Sequence, residues 1–244
     1  MPFMLPKTPT FRCQAEVIDV GATTPHMQRV SIAGGALRQL TIDSPAQWVK
    51  LFFPTAPGVA KAGRAYTVRR WDPAHAVMDI EFALHGDHGP ASRWAAGARP
   101  GEIVEVAGPR RGHCINTDAR NYILIGDATA LPAIASILEH LPAGMRAQAF
   151  VEVVDEAEHQ PFATKAALDT VWLHAGCEVP GTTGRLELEI QAADLATQDC
   201  QVWLAGESFM VRSVRTHLAV DRGIPERAID AKAYWKVGVA DARG

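Results

Sequence analysis

The spacing of apolar residues changes character midway along this chain. From Phe11 to about Ala107 the apolar runs are short and divided by turn residues: Ala15 to Val20, Met27 to Ala33, Trp48 to Pro54, Ala65 to Trp71, Val77 to Leu84 and Glu102 to Ala107. Regularly spaced short strands of this kind predict a closed or nearly closed antiparallel barrel. In Val77 to Leu84, Met78, Ile80, Phe82 and Leu84 alternate with Asp79 and Glu81, the pattern of a strand with one wet face. The only helix signal in this half is Pro90 to Ala96, with Pro in its first turn and Gly97 to end it.

Beyond a Gly- and Arg-rich boundary, Gly108 to Arg120, strands and helices alternate. Strands are predicted at Asn121 to Gly126, Gln148 to Val154, Val171 to His174, Gln201 to Gly206 and Ala228 to Trp235. Leu131, Ile134, Ala135, Leu138 and Leu141 recur at helical spacing, and Phe209 to Val220 reads as a second helix that Gly223 stops. Alternation of this kind implies a parallel sheet covered on both faces. The expected organisation is therefore two domains, 1–112 and 113–244.

Twenty-four Lys and Arg against 27 Asp and Glu leave a net charge of −3, so no overall field draws a polyanion such as nucleic acid, and any anion must meet a local cluster. The four cysteines, Cys13, Cys114, Cys177 and Cys200, have neither zinc nor iron–sulfur spacing. Met1 to Thr10 lacks the unbroken apolar stretch of a secretory signal, and Asp127 and Pro132 break the longest apolar run. These features predict a cytoplasmic protein with reduced thiols and no stable membrane association.

Five stretches can carry chemistry. Arg64-Ala65-Tyr66-Thr67 supplies a guanidinium, a ring and a hydroxyl in one strand. A flavin uses all three, the fork on its pyrophosphate, the ring against the isoalloxazine or ribityl chain, the hydroxyl at the reactive edge. The same residues also suit an amphipathic strand facing water. His85-Gly86-Asp87-His88-Gly89-Pro90-Ala91-Ser92, at a strand end and helix mouth, suits a phosphate cradle or a plain Gly-rich turn. Two histidines three apart without a third partner do not predict a metal.

Gly126-Asp127-Ala128-Thr129-Ala130-Leu131-Pro132 joins strand to helix where α/β folds bind nucleotide phosphates, although it is not GxGxxG, and Asp127 or Thr129 can equally be a plain N-cap. Trp203-Leu204-Ala205-Gly206-Glu207-Ser208 repeats that arrangement. Glu152 and Asp155, at a further strand end, either reach a ribose or face solvent. Tyr234-Trp235-Lys236-Val237-Gly238 closes the last strand with an aromatic pair.

Taken together and in this order, these stretches resemble the siderophore-interacting protein family, flavin-dependent ferric-siderophore reductases of the ferredoxin-reductase-like superfamily. The resemblance rests on Val49 to Pro54, Arg64 to Arg69, Phe82 to Gly86 with Gly89 to Trp94, Gly126-Asp127 with Thr129 to Ala133, Ala205-Gly206-Glu207, and Tyr234-Trp235-Lys236 with Gly238. It implies an N-terminal FAD-binding Greek-key barrel followed by a Rossmann-like α/β domain for the nicotinamide donor. Arg64, Tyr66, Thr67, Val68, His85, Gly89, Ala91 and Ser92 would hold FAD, with Trp235 covering the ring. Asp127, Thr129, Ala130 and Glu207 would line the donor side. Lys50, Arg110 and Lys236 would receive an anionic ferric siderophore, and Thr67 would stand at the reactive edge. Ala128 departs from the acidic residue that many relatives carry there.

The implied reaction passes electrons from NAD(P)H, with NADPH favoured, through FAD to Fe(III), which releases Fe(II); a reduced ferredoxin is the alternative donor. Two other readings remain open: a general flavin or ferredoxin reductase, and a non-catalytic ferric-siderophore-binding protein.

Overall fold

The computed structural model describes residues 11–53, 63–84 and 90–239. Six strands, β1 (Arg12–Thr24), β2 (Met27–Ala33), β3 (Trp48–Phe52), β4 (Gly63–Asp72), β5 (Val77–Ala83) and β6 (Ile103–Arg110), close into an antiparallel barrel in the order β1-β2-β5-β4-β3-β6. β3, β4 and β5 follow one another as a meander, and the chain returns through a short helix, α1 (Pro90–Gly97), to lay β6 beside β3. That is the Greek-key connection. Alternation decides which side chains enter: Met78, Ile80 and Phe82 of β5 are fully buried, as the period-two pattern requires.

The second half forms a five-stranded parallel sheet, β7 (Asn121–Asp127), β8 (Arg146–Val153), β9 (Ala167–His174), β10 (Cys200–Glu207) and β11 (Ile229–Trp235), in the order β11-β10-β7-β8-β9. β7 and β10 are buried along nearly their whole length, which is why they read as continuous apolar runs. Strand order reverses between them, so their C-terminal ends form the switch-point crevice where open α/β sheets place ligands.

The helices depart from the sequence reading in two places. α2 (Leu131–His140) follows the expected apolar spacing, but α3 (Arg185–Ala192) was not legible, because only Leu186 and Ile190 of its eight residues are buried. The helix expected over Phe209 to Val220 is α4 (Ser208–Thr216), and His217–Asp221 then widens into a π turn. β9 also begins earlier than its apolar signal, since Ala167 and Asp169 lie on an exposed face. Among the described residues no helix is long and apolar enough to cross a membrane.

Barrel and sheet share packing. Met27 and Ala46 of the barrel half belong to the apolar cluster built on α2 and β7. Arg69 of β4 forks onto Glu139 of α2 through both terminal nitrogens, at 3.0 and 2.7 Å. Buried Glu158 accepts from Thr24 Oγ1 at 2.5 Å and from the His26 backbone N–H at 2.9 Å. Charge-assisted bonds of this geometry fix orientation as well as adding energy, so the end of β4 is held in a defined relation to the ends of β7, β10 and β11.

Candidate functional site

The site is assembled from strand ends. Paired residues of antiparallel strands share a face, and the register matches Thr67 with Trp48, Trp48 with Arg110, and Lys50 with both Ala65 and Ala107. Thr67, Lys50 and Arg110 therefore stand on one outer face of the barrel. Lys50 and Arg110 are exposed, whereas Thr67 is buried. What covers Thr67 is β11: its hydroxyl is hydrogen-bonded to the Tyr234 phenol, whose pKa burial pushes up while the Thr67 bond pulls it back.

Arg64 and Tyr66 alternate with Thr67 and so take the opposite face of β4. The Tyr66 ring lies 4.3 Å from that of Phe82, and Phe53 and Trp94 complete an aromatic cluster with them. Burial raises the Tyr66 phenol, and the nearby Arg64 guanidinium opposes that shift, which places cation and ring at the same strand end. Val68 and Ala91 are buried in the barrel core, and the Val68 N–H already bonds the Gln47 carbonyl at 2.8 Å. Ser92 donates to the Ala83 carbonyl at 3.3 Å and ties α1 to the end of β5. His85 and Gly89 lie outside the described residues.

Across the crevice, Asp127 at the end of β7 is completely buried. Its Oδ1 accepts from the Thr129 backbone N–H at 2.9 Å and from Thr129 Oγ1 at 2.5 Å; its Oδ2 accepts from the Glu207 N–H at 2.8 Å and from the Trp235 indole N–H at 2.9 Å. Glu207, 4% exposed, accepts at Oε2 from the Phe209 and Met210 N–H groups and at Oε1 from the Val237 N–H. Asp127 thus holds the indole of Trp235, and Glu207 holds the turn that carries exposed Lys236. Gly206, at φ 143, lies so near that any Cβ would collide with the Asp127 carboxylate. Ala130 is buried beneath this crevice.

Neither role expected of Glu152 is available to it. Glu152 does not face solvent and does not offer itself to a ribose: it is 0% exposed, accepts from the Gly181 N–H at 2.7 Å, and bonds the Thr183 hydroxyl. Asp155 instead caps its own short turn, accepting from the Ala157 N–H at 2.9 Å. Burial pushes the Glu152 carboxyl up, and the neighbouring Asp127 charge adds to the shift. A carboxyl raised by folding favours the fold while protonated, so that contribution is present below the ordinary value of about 4.3 and is lost as pH rises through the folded value. Glu152→Gln removes this loss. The stability advantage of the variant over the parent, from guanidinium denaturation, is expected to be larger at pH 8 than at pH 5; the same difference at both would show that Glu152 does not titrate in this way.

The sequence reading chose Trp235 of the aromatic pair and left Tyr234 without a role. Only the approach of β11 to β4 shows that Tyr234 stands beside Thr67. The Arg69 fork and the Glu158 anchor carried no local signal either, because their partners are 70 and 132 residues away. A cleft of about 420 Å³ lies at the N-terminal ends of β7, β8 and β9, lined by Asn121, Arg146, Gln148 and Asp169, at the opposite end of the sheet from these residues.

The residues present suit a flavin. A guanidinium beside a phenol ring on β4, and an indole pinned at the end of β11, are groups that a pyrophosphate and a planar conjugated ring use. A Greek-key barrel joined to a parallel sheet with this reversal is the ferredoxin-reductase-like class of flavoprotein fold. The ferredoxin NADP+ reductase of Neisseria gonorrhoeae shares it, with a TM-score of 0.67 over 92% of this chain and 99% of that one at 15% identity, a likeness of fold alone.

Residues 16–63 and 58–113 match the siderophore-interacting FAD-binding domain, and residues 119–238 match the siderophore-interacting protein model. The chain belongs to the siderophore-interacting protein family, and its barrel is that family's FAD-binding domain. A siderophore utilization protein from T. fusca is 33% identical, with each chain covered to 97% and a TM-score of 0.88. The ferric acinetobactin reductase of Acinetobacter baumannii is 27% identical over 94% of this chain and 80% of its own length. The mycobactin import ATP-binding/permease protein IrtA of Mycolicibacterium smegmatis is 30% identical over 93% of this chain, which spans 26% of that relative's length.

Proposed function

We propose that this protein is an FAD-dependent ferric-siderophore reductase that takes electrons from NAD(P)H and delivers them to Fe(III) in the siderophore. The observation that carries the proposal is the single face on which Thr67, Lys50 and Arg110 stand together, bordered by Tyr234 and Trp235. It joins a hydroxyl for a flavin edge to exposed cations for an anionic chelate. The relative named ferric acinetobactin reductase supports the substrate class.

A bound FAD would supply the chemistry: two-electron acceptance of hydride from a dihydronicotinamide, giving the pyridinium, and one-electron delivery to each of two Fe(III) ions. The protein binds, orients and shields. Arg64 would hold the FAD pyrophosphate, and Tyr66 and Trp235, the latter pinned by Asp127, would pack against the flavin ring. Thr67, with its hydroxyl engaged by Tyr234, retains lone-pair capacity to accept a hydrogen bond at the reactive edge. Lys50, Arg110 and Lys236 attract the chelate by charge. Iron then leaves by its own ligand chemistry, since hard anionic oxygens hold Fe(III) far better than Fe(II). We place the reaction in the cytoplasm; the four unpaired cysteines accord with a reducing compartment.

The test is an anaerobic absorbance titration of FAD-loaded protein with NADPH or NADH, followed by ferric siderophore and an Fe(II)-specific chelator. Bleaching of the flavin and its recovery as Fe(II) appears is the expected result. FAD binding without bleaching by either nicotinamide would transfer the donor role to a reduced ferredoxin, and a protein that binds ferric siderophore but no FAD would be a carrier.

A further inference from the structure

Four backbone donors flanking the switch-point crevice are already committed to carboxylates of the chain itself. In a doubly wound sheet a dinucleotide's pyrophosphate meets the N–H groups of helix starts at the switch point, which here lies between β7 and β10. The Thr129 and Glu207 N–H groups bond Asp127, and the N–H groups of Phe209 and Met210, second and third in α4, bond Glu207 at 2.5 and 3.2 Å. A third carboxylate, Glu152, takes the Gly181 N–H. Gly181 itself, at φ 88, is laid across the crevice so that a Cβ there would fall 2.6 Å from Asp127 Oδ2. Asp127 and Glu152 are 0% exposed and Glu207 4%. An incoming pyrophosphate would meet carboxylates where a dinucleotide fold offers donors, and like charges in a poorly hydrated crevice repel strongly.

The end of β8 is closed in the same manner. A ribose hydroxyl or its 2′-phosphate is read there in dinucleotide folds, yet Glu152 is buried under Gly181 and Thr183, and Asp155 caps Ala157.

We infer that this chain selects its electron donor by the dihydronicotinamide end alone, with the pyrophosphate and adenylate left outside the switch-point crevice. A reduced nicotinamide mononucleotide then serves as well as a dinucleotide, and NADH and NADPH are not told apart. The inference rests on the nicotinamide-dependent reading above and deepens it. Asp127, Glu207, Glu152 and Gly181 are its specificity determinants, acting by exclusion.

Two measurements on the full FAD-loaded chain decide it. In isothermal titration calorimetry, ADP-ribose and 2′-phospho-ADP-ribose are expected to give no saturable heat; a Kd below about 1 mM, a binding free energy of roughly 4 kcal/mol, for either overturns the inference. In anaerobic stopped flow, the second-order constants for flavin bleaching by NADH, NADPH and reduced nicotinamide mononucleotide are expected to agree within about tenfold. Two charge-assisted bonds to phosphate are worth about 100-fold or more, so a dinucleotide advantage above tenfold also overturns it. Should none of the three bleach the flavin while dithionite-reduced protein still yields Fe(II) from ferric siderophore, the nicotinamide assignment fails, and the calorimetry still decides whether the crevice admits an adenylate.

Discussion

Asp127→Ala is expected to cost about 3–5 kcal/mol of folding stability. The carboxylate is fully buried and accepts two bonds from Thr129, one from the Glu207 N–H and one from the Trp235 indole. Truncation leaves those donors facing a void, and an orphaned buried donor costs about 1–3 kcal/mol, reduced for groups that water reaches. Asp127→Asn, nearly the same in shape, is expected to lose less, because it keeps one acceptor oxygen. Denaturant unfolding of the two variants measures both values. Equal, small losses would mean that the Asp127 bonds contribute little, and that Trp235 is held by packing.

Arg64→Ala is expected to weaken FAD binding by about 100-fold, with little change in the stability of the cofactor-free chain. A guanidinium fork on a pyrophosphate makes two parallel charge-assisted bonds worth about 2–3 kcal/mol together once solvent screening is allowed for. Lysine offers charge without the fork, so Arg64→Lys should recover only part of the affinity. Fluorescence titration of FAD into each variant gives the ratio, and unchanged affinity in Arg64→Ala would remove Arg64 from the pyrophosphate site.

The barrel was legible because its strands expose one face: Met78, Ile80 and Phe82 alternate with polar neighbours and need no tertiary information to be placed. The central parallel strands were legible for the opposite reason, being apolar on both faces between turn residues. α3 was hidden because a helix that buries two residues of eight carries almost no periodic signal. At the site, the residue types in Arg64-Ala65-Tyr66-Thr67 and Tyr234-Trp235 were readable, but their partnership was not. Thr67 and Tyr234 are far apart in sequence, and only the docking of barrel on sheet brings hydroxyl to phenol. For Asp127, Glu152 and Glu207 the sequence offered strand-end carboxylates that suit a ligand as well as they suit the chain's own N–H groups. In the fold all three are buried and accept from the chain's own N–H groups, an arrangement that only tertiary structure creates.

The apolar cluster that takes Met27 and Ala46 into the packing of α2 and β7 has a thermodynamic consequence. Each body has its own core, but unfolding either would strip the other of apolar contacts at this junction, which couples their melting. A ligand held mainly by the barrel then raises the melting temperature of the parallel sheet as well, through mass action on the coupled transition. Occupancy by FAD should therefore protect amides of β7 and α2 from hydrogen exchange wherever they open only by global unfolding.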